Sequence, residues 1–135
     1  MVLSRIGAMA RPRSLKAGDY LFRLGERADS LYVVRRGKIE LCFPLFIGPT
    51  TEDVPIELRP VGGVIGWSAL VEPFRFTLSG RATEESEVAG FARTELLELF
   101  EADPRAGYVF MRRVSEIVGR RLLHVHALWA REIQR

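Results

Sequence analysis

LKAGDYLFRLGERADSLYVVRRGKI, from Leu15 to Ile39, is the stretch whose reading decides the fold. It opens on the turn signal Ala17-Gly18-Asp19, passes through the β-rich Tyr20-Leu21-Phe22-Arg23, and reaches a polar loop from Gly25 to Ser30. Leu31-Tyr32-Val33-Val34-Arg35 is the strongest strand signal in the chain. Arg36-Gly37 punctuates it. Lys38-Ile39-Glu40-Leu41-Cys42-Phe43 then alternates at period two, so the two strands read as an antiparallel hairpin about Gly37 with one face of the second strand wet.

Working outward, Pro44 to Pro55 carries three prolines and the polar run Thr50-Thr51-Glu52-Asp53, which reads as a surface loop. Ile56-Glu57-Leu58-Arg59 alternates again. Leu78–Thr83 and Glu87–Ala92 are further strands, divided by the acidic turn Glu84-Glu85-Ser86. Seven or eight short strands with turns between them imply an antiparallel sandwich or jelly-roll barrel over about residues 11–92. Before it, apolar residues at 2, 3, 6 and 9 predict a short N-terminal helix.

After it the chain turns helical. Thr94 is an N-cap candidate for a helix over about 94–102, and Asp103-Pro104 restarts one, the aspartate as N-cap and the proline in the first turn. With only Gly107 and Gly119 as weak interruptions, that last helix reaches about residue 133 and roughly 45 Å. Met111, Val114, Val118, Leu122, Val125 and Trp129 recur every three to four residues along it, which predicts packing against another helix along its length. If the barrel covers only the first half of it, the stripe from Val118 to Ile133 is exposed unless a second copy meets it, which predicts a homodimer; the alternative is that the helix folds back on its own barrel.

Between the strands lies GGVIGWSALVEPFRFTLSGRA, Gly62 to Ala82. Glycines at 62, 63 and 66 permit a tight turn, Trp67-Ser68-Ala69-Leu70 is a one-turn helix, and the amides that start it suit an anion. Arg75 supplies a planar, two-pronged positive charge nearby. Gly66, Trp67, Ser68, Arg75 and Phe76 are therefore the candidate ligand-binding residues, against the plainer reading that a glycine-rich turn only turns.

Composition narrows the remaining classes. The 135 residues are of single-domain size, with 47% apolar and 27% charged residues as in ordinary globular chains. No apolar run approaches the ~20 residues of a membrane span, and Met1–Ala10 is too short and too interrupted by Arg5 for a secretion signal, so a cytoplasmic location is expected. Cys42 stands alone in an apolar segment and reads as a small core residue. Net charge is +3, carried by 18 arginines and two lysines. Arg105, Arg112, Arg113, Arg120, Arg121, Arg131 and Arg135 make the last helix basic, a pattern commoner in solvated faces than in nucleic-acid sites. His124 and His126 sit two apart on a helix, about 200° around the axis, and cannot share one metal ion. With no further histidine, no nucleophile and base can be paired, and neither an enzyme nor a cofactor is expected.

The Leu15–Ile39 run, through its spacing of Gly18, Gly25, Tyr32 and Gly37, closely resembles the cyclic nucleotide-binding domain family. The resemblance covers the chain from about Ile6 into the long helix, which looks like the dimerisation helix of Crp/Fnr-type bacterial regulators. It implies that Gly62–Ala82 is the phosphate-binding cassette. In that family the cassette begins Gly-Glu, the glutamate gripping the ribose 2′-hydroxyl, and ends in an arginine that pairs with the cyclic phosphate ahead of small residues. Here Gly66 matches, Trp67 stands at the glutamate position, Arg75 falls one residue early, and Phe76 follows it. The function implied is a non-enzymatic, ligand-sensing regulatory module, homodimeric, with cAMP, cGMP or another anionic small molecule as effector. The alternatives are a ligand-free dimerisation scaffold whose pocket Trp67 and Phe76 fill, or the sensor half of a Crp/Fnr-type regulator. Such regulators carry a helix-turn-helix after this helix, and the sequence ends at Arg135, so no DNA binding is expected.

Overall fold

The computed structural model describes residues 2–133, with side chains from Ile6 onward. The side chains at 2–5 that contribute to the N-terminal helical spacing, and Arg135 of the basic face, lie outside the described residues. The described residues form two compact units, residues 3–96 and 97–133.

Helix α1 (Val2–Met9) precedes eight strands: β1 (Arg11–Leu15), β2 (Tyr20–Phe22), β3 (Ser30–Arg36), β4 (Ile39–Ile47), β5 (Thr50–Arg59), β6 (Val64–Ile65), β7 (Ser79–Ala82) and β8 (Ser86–Ala92). They form two four-stranded sheets, ordered β1-β8-β3-β6 and β2-β7-β4-β5, with every pair antiparallel. The core is drawn from both sheets. Leu15, Val34, Ile65 and Val88 of the first meet Leu21, Phe22, Ile39 and Leu41 of the second in one buried cluster, in the manner of a jelly roll. Each such side chain removed from water contributes about 1.5–3 kcal/mol.

The β3–β4 hairpin that the alternation about Gly37 predicts does not form: β3 pairs with β8 and β6, and β4 with β5 and β7, so the chain crosses at Gly37 from one sheet to the other. Gly37, at φ 82, turns this corner against Ser86, whose Oγ accepts from the Lys38 N–H at 3.1 Å, and alternation within a strand does not say which strand lies beside it. Pro44 to Pro55 does not form a loop. β4 and β5 pair without interruption from Ile39↔Arg59 to Ile47↔Thr50, with a bulge between Leu41 and Cys42. Pro55 is tolerated because β5 is an edge strand and it lies opposite Cys42 at that bulge, Pro44 because it lies on β4 beyond the stretch that pairs with β7, and Pro49 because it sits in the turn between β4 and β5. β4 pairs with β7 only from Ile39 to Cys42, so residues 43–54 continue as a two-stranded ribbon beyond the sheet.

Charged cross-strand pairs tie this second sheet together. Arg81 on β7 reaches Glu40 on β4 at 3.0 Å and lies 3.8 Å from Asp53 on β5, while the Tyr20 hydroxyl on β2 donates to Asp53. The Asp53 hydrogen bond, with burial behind it, holds the Tyr20 hydroxyl above its ordinary pKa.

Helix α2 spans Arg93–Ala102 and helix α3 spans Pro104–Ile133. α2 begins one residue earlier than expected, placing Thr94 inside the helix, because the Arg93 N–H is already satisfied by the Asp29 carbonyl at 2.9 Å. Asp103 caps α3 as its sequence suggests, accepting from the Ala106 N–H at 3.2 Å. Within the helical unit, Phe100 packs against Phe110 at 5.1 Å between ring centres and against Gly107, where a Cβ would come within 2.9 Å of its side chain.

Candidate functional site

Pairing of Val64 and Ile65 with Val33 and Tyr32 carries the chain along β3 and delivers Gly66 beside the Tyr32 ring. Gly66 has φ 83, and a Cβ there would lie 3.2 Å from the Ser30 carbonyl oxygen, 3.4 Å from the Phe76 ring and 3.5 Å from the Tyr32 ring. Conformation and space both demand glycine. The turn opens a 3₁₀ helix, Trp67–Leu70, whose Ala69 N–H donates to the Gly66 carbonyl at 3.0 Å. Ser68 and Ala69 are buried and Trp67 is half-buried.

The returning limb is held by the polar loop after β2. Gly25 N–H donates to the Phe76 carbonyl at 2.8 Å, Phe76 N–H to the Glu26 carbonyl at 3.0 Å, and Ala28 N–H to the Phe74 carbonyl at 2.7 Å. Successive side chains of an extended limb point to opposite sides. Phe76 turns inward, 6% exposed, and stacks on Phe22 with ring centres 3.8 Å apart and planes 7° apart. Phe22 in turn lies 6.2 Å from Tyr32 and closes over Gly80, whose missing Cβ leaves room for its ring. Arg75 turns outward, exposed, and its Nη1 donates to the Gly25 carbonyl at 3.0 Å.

Of the five candidate residues, the fold therefore brings Gly66 and Phe76 into contact and carries Trp67 and Ser68 on the adjoining turn. Arg75 does not join them on the inner side, and its partner is the Gly25 carbonyl rather than Glu72, the ion-pair partner that their closeness in sequence suggests. Three residues not singled out from the sequence hold the limb. The Arg93 guanidinium lies 4.2 Å from the centre of the Phe74 ring, its Nη1 donates to the Ala28 carbonyl at 2.9 Å, and its Nη2 is 3.7 Å from Asp29. No motif marks this cluster; an arginine at a helix start among acidic residues was its only trace.

Cys42 is fully buried, and burial foremost pushes its thiol pKa up to about 11, which keeps it protonated and inert. Among the described residues no three His, Cys, Asp or Glu side chains are grouped to hold a metal ion. On α3, Val114 is buried, Met111 and Val118 are half-buried, and Leu122, Val125 and Trp129 are exposed, as are Leu123 and Ile133. Among the described residues no helix is long and apolar enough to cross a membrane.

Comparison with known proteins agrees with this architecture. The chain aligns over 89% of its length with 84% of a Geobacter metallireducens GS-15 protein described as cyclic nucleotide-binding, at 28% identity and a TM-score of 0.71. The catabolite activator protein of Thermus thermophilus matches 94% of this chain with 58% of its own, at 20% identity and a TM-score of 0.76. The c-di-GMP-responsive regulator CLP of Xanthomonas campestris matches 91% with 59% of its own, at 19% identity and the same TM-score. No curated protein matches the chain. The family profile for the cyclic nucleotide-binding domain matches residues 12–103, which takes in both sheets, the Gly66 turn and all of α2, and the chain belongs to that family.

Proposed function

We propose that the chain is a non-enzymatic, ligand-sensing regulatory module, a single functional unit that works as a homodimer and takes an anionic small molecule at Gly66, Trp67, Ser68, Arg75 and Phe76. The observation that carries this reading is Arg75. Its exposed guanidinium has one partner among the described residues, the Gly25 carbonyl, and so retains donors for a phosphate or carboxylate. The effector is a nucleotide, cAMP and cGMP included, or another anion of similar size. Binding is a population shift in which Arg75 leaves a neutral carbonyl for a charged ligand group. Trp67, half-buried in the Gly66 turn, offers a face on which a ring can stack. Dimerisation falls to α3, where Leu122, Val125, Trp129 and Ile133 present exposed apolar surface on one side of a helix.

A second reading is favoured by the Phe22–Phe76 stack, which occupies the inner side of the cassette with protein. In it the barrel is a ligand-free dimerisation scaffold. Calorimetric titration of the chain and of Arg75→Ala with cAMP, cGMP, c-di-GMP and common mononucleotides separates the two. The sensor reading expects heat with at least one of them, weakened about tenfold or more in Arg75→Ala, since a hydrogen bond to a charged group contributes about 1.5–3 kcal/mol. No heat from any of them removes the sensor reading in its nucleotide form and leaves the scaffold.

A further inference from the structure

Phe74 alone among the described non-glycine residues has a positive φ, 58°. A bulky L-residue enters the left-handed region only where its surroundings hold it there. Those surroundings converge on Arg93, the first residue of α2. Its guanidinium covers the Phe74 ring at 4.2 Å, its Nη1 binds the Ala28 carbonyl at 2.9 Å, and its backbone N–H binds the Asp29 carbonyl at 2.9 Å. Ala28 completes the circuit by donating to the Phe74 carbonyl at 2.7 Å. The Arg93 side chain is only 15% exposed, far less than expected of an arginine with no task.

The next two residues are Arg75 and Phe76, which face opposite ways. In an extended limb the conformation of the residue before them fixes which one goes in, and a slip of one residue exchanges them. We infer that Arg93 is a positioning residue: its grip on Phe74 fixes the limb with Phe76 inward and Arg75 outward. Releasing the grip lets residues 74–76 slip against Gly25–Ala28 and turns Arg75 toward Gly66. The side chain that sets the facing of the cassette is thus also the one that begins α2. The assignment of an effector to Arg75 rests on the reading above; the latch itself does not.

Amide hydrogen exchange and ring-to-ring nuclear Overhauser contacts in the full chain test the latch without any ligand. In Arg93→Ala, exchange at the Gly25, Ala28 and Phe76 amides is expected to rise about tenfold or more. The Val34 and Ala82 amides, which bind the Gly63 and Asp19 carbonyls elsewhere in the sheets, should stay unchanged. The Phe22–Phe76 ring contact should weaken relative to Phe22–Tyr32. Equal acceleration everywhere, or none, overturns the proposal. In a Phe74→Gly background, where the left-handed conformation is relaxed, adding Arg93→Ala should change those amides less than about threefold; an undiminished effect means that Arg93 serves Ala28 alone and the latch is refuted. Titration of Arg93→Ala with cAMP then separates the two ideas: local acceleration without heat keeps the latch and counts against the nucleotide reading, whereas heat without local acceleration does the reverse.

Discussion

Exchanging the roles of Arg75 and Phe76 on stability is the most direct trial of the facing of the cassette. Phe76 is 6% exposed and stacked on Phe22 at 3.8 Å. Truncation of a buried phenylalanine costs about 3–5 kcal/mol, of which the aromatic pair accounts for about 0.5–1.5 kcal/mol. Arg75 is exposed and gives up one hydrogen bond to a backbone carbonyl that water can replace, so Arg75→Ala should stay within about 0.5 kcal/mol of the parent. Urea denaturation followed by Trp67 fluorescence in a Trp129→Phe background reads the unit that holds both residues. With a slope of roughly 1–3 kcal/mol per molar urea, Phe76→Ala should lower the midpoint by about 1–5 M while Arg75→Ala leaves it nearly in place. A cost for Arg75→Ala equal to or above that for Phe76→Ala would mean that the arginine is the inward residue, and the reasoning on the limb would fail.

Tyr20→Phe leaves Asp53 without its hydroxyl donor and should cost about 1–2 kcal/mol in a thermal melt, whereas a cost near zero would show that Arg81 alone satisfies Asp53. The raised Cys42 and Tyr20 pKa values have the same sign: the folded chain holds these protons more tightly than the unfolded one, so their stabilisation is complete at neutral pH. For Cys42 it should be lost as pH rises from about 9 to about 11, and stability that rises over that window would contradict the burial of the thiol. Ellman's reagent should label native Cys42 no faster than the chain opens. Leu122→Glu with Trp129→Glu puts charge on the exposed face of α3 and should convert the proposed dimer to a monomer in light scattering; an unchanged mass would place the contact elsewhere.

The parts of the fold that were legible in the sequence depend on local rules. The strand signals at Leu31–Arg35 and Lys38–Phe43 name β3 and β4, though not their partners, and Asp103-Pro104 names the start of α3, because each is set by residues close in sequence. Pro44–Pro55 misled because prolines forbid a central strand but not an edge, and edge position is a property of the assembled sheet. The facing of Arg75 and Phe76 was illegible for a related reason. Alternation says that neighbours point opposite ways but not which points in, and the phase is set at Phe74 by Arg93, almost twenty residues further on. The resemblance located the cassette from Gly66 but could not supply that phase.

The same geometry limits how an effector can act. Turning Arg75 inward requires Phe76 to leave the core, at about 1.5–3 kcal/mol for its burial and about 0.5–1.5 kcal/mol for its stack. An Arg75-inward state that lies about 2–4.5 kcal/mol above the resting one is populated at about 3% down to 0.05%, and a ligand that binds only that state has its affinity weakened by the reciprocal, about 30- to 2,000-fold. A site of micromolar intrinsic affinity would then respond in the range from tens of micromolar to millimolar. The Phe76 side chain, on this argument, sets the response threshold as well as stabilising the barrel. Phe76→Ala removes most of the cost of turning and should bind the effector at least about tenfold more tightly than the parent in calorimetry, even though it is the less stable protein. Equal or weaker binding by Phe76→Ala would show that the anion is taken by Arg75 in its outward position, without any exchange of the two side chains.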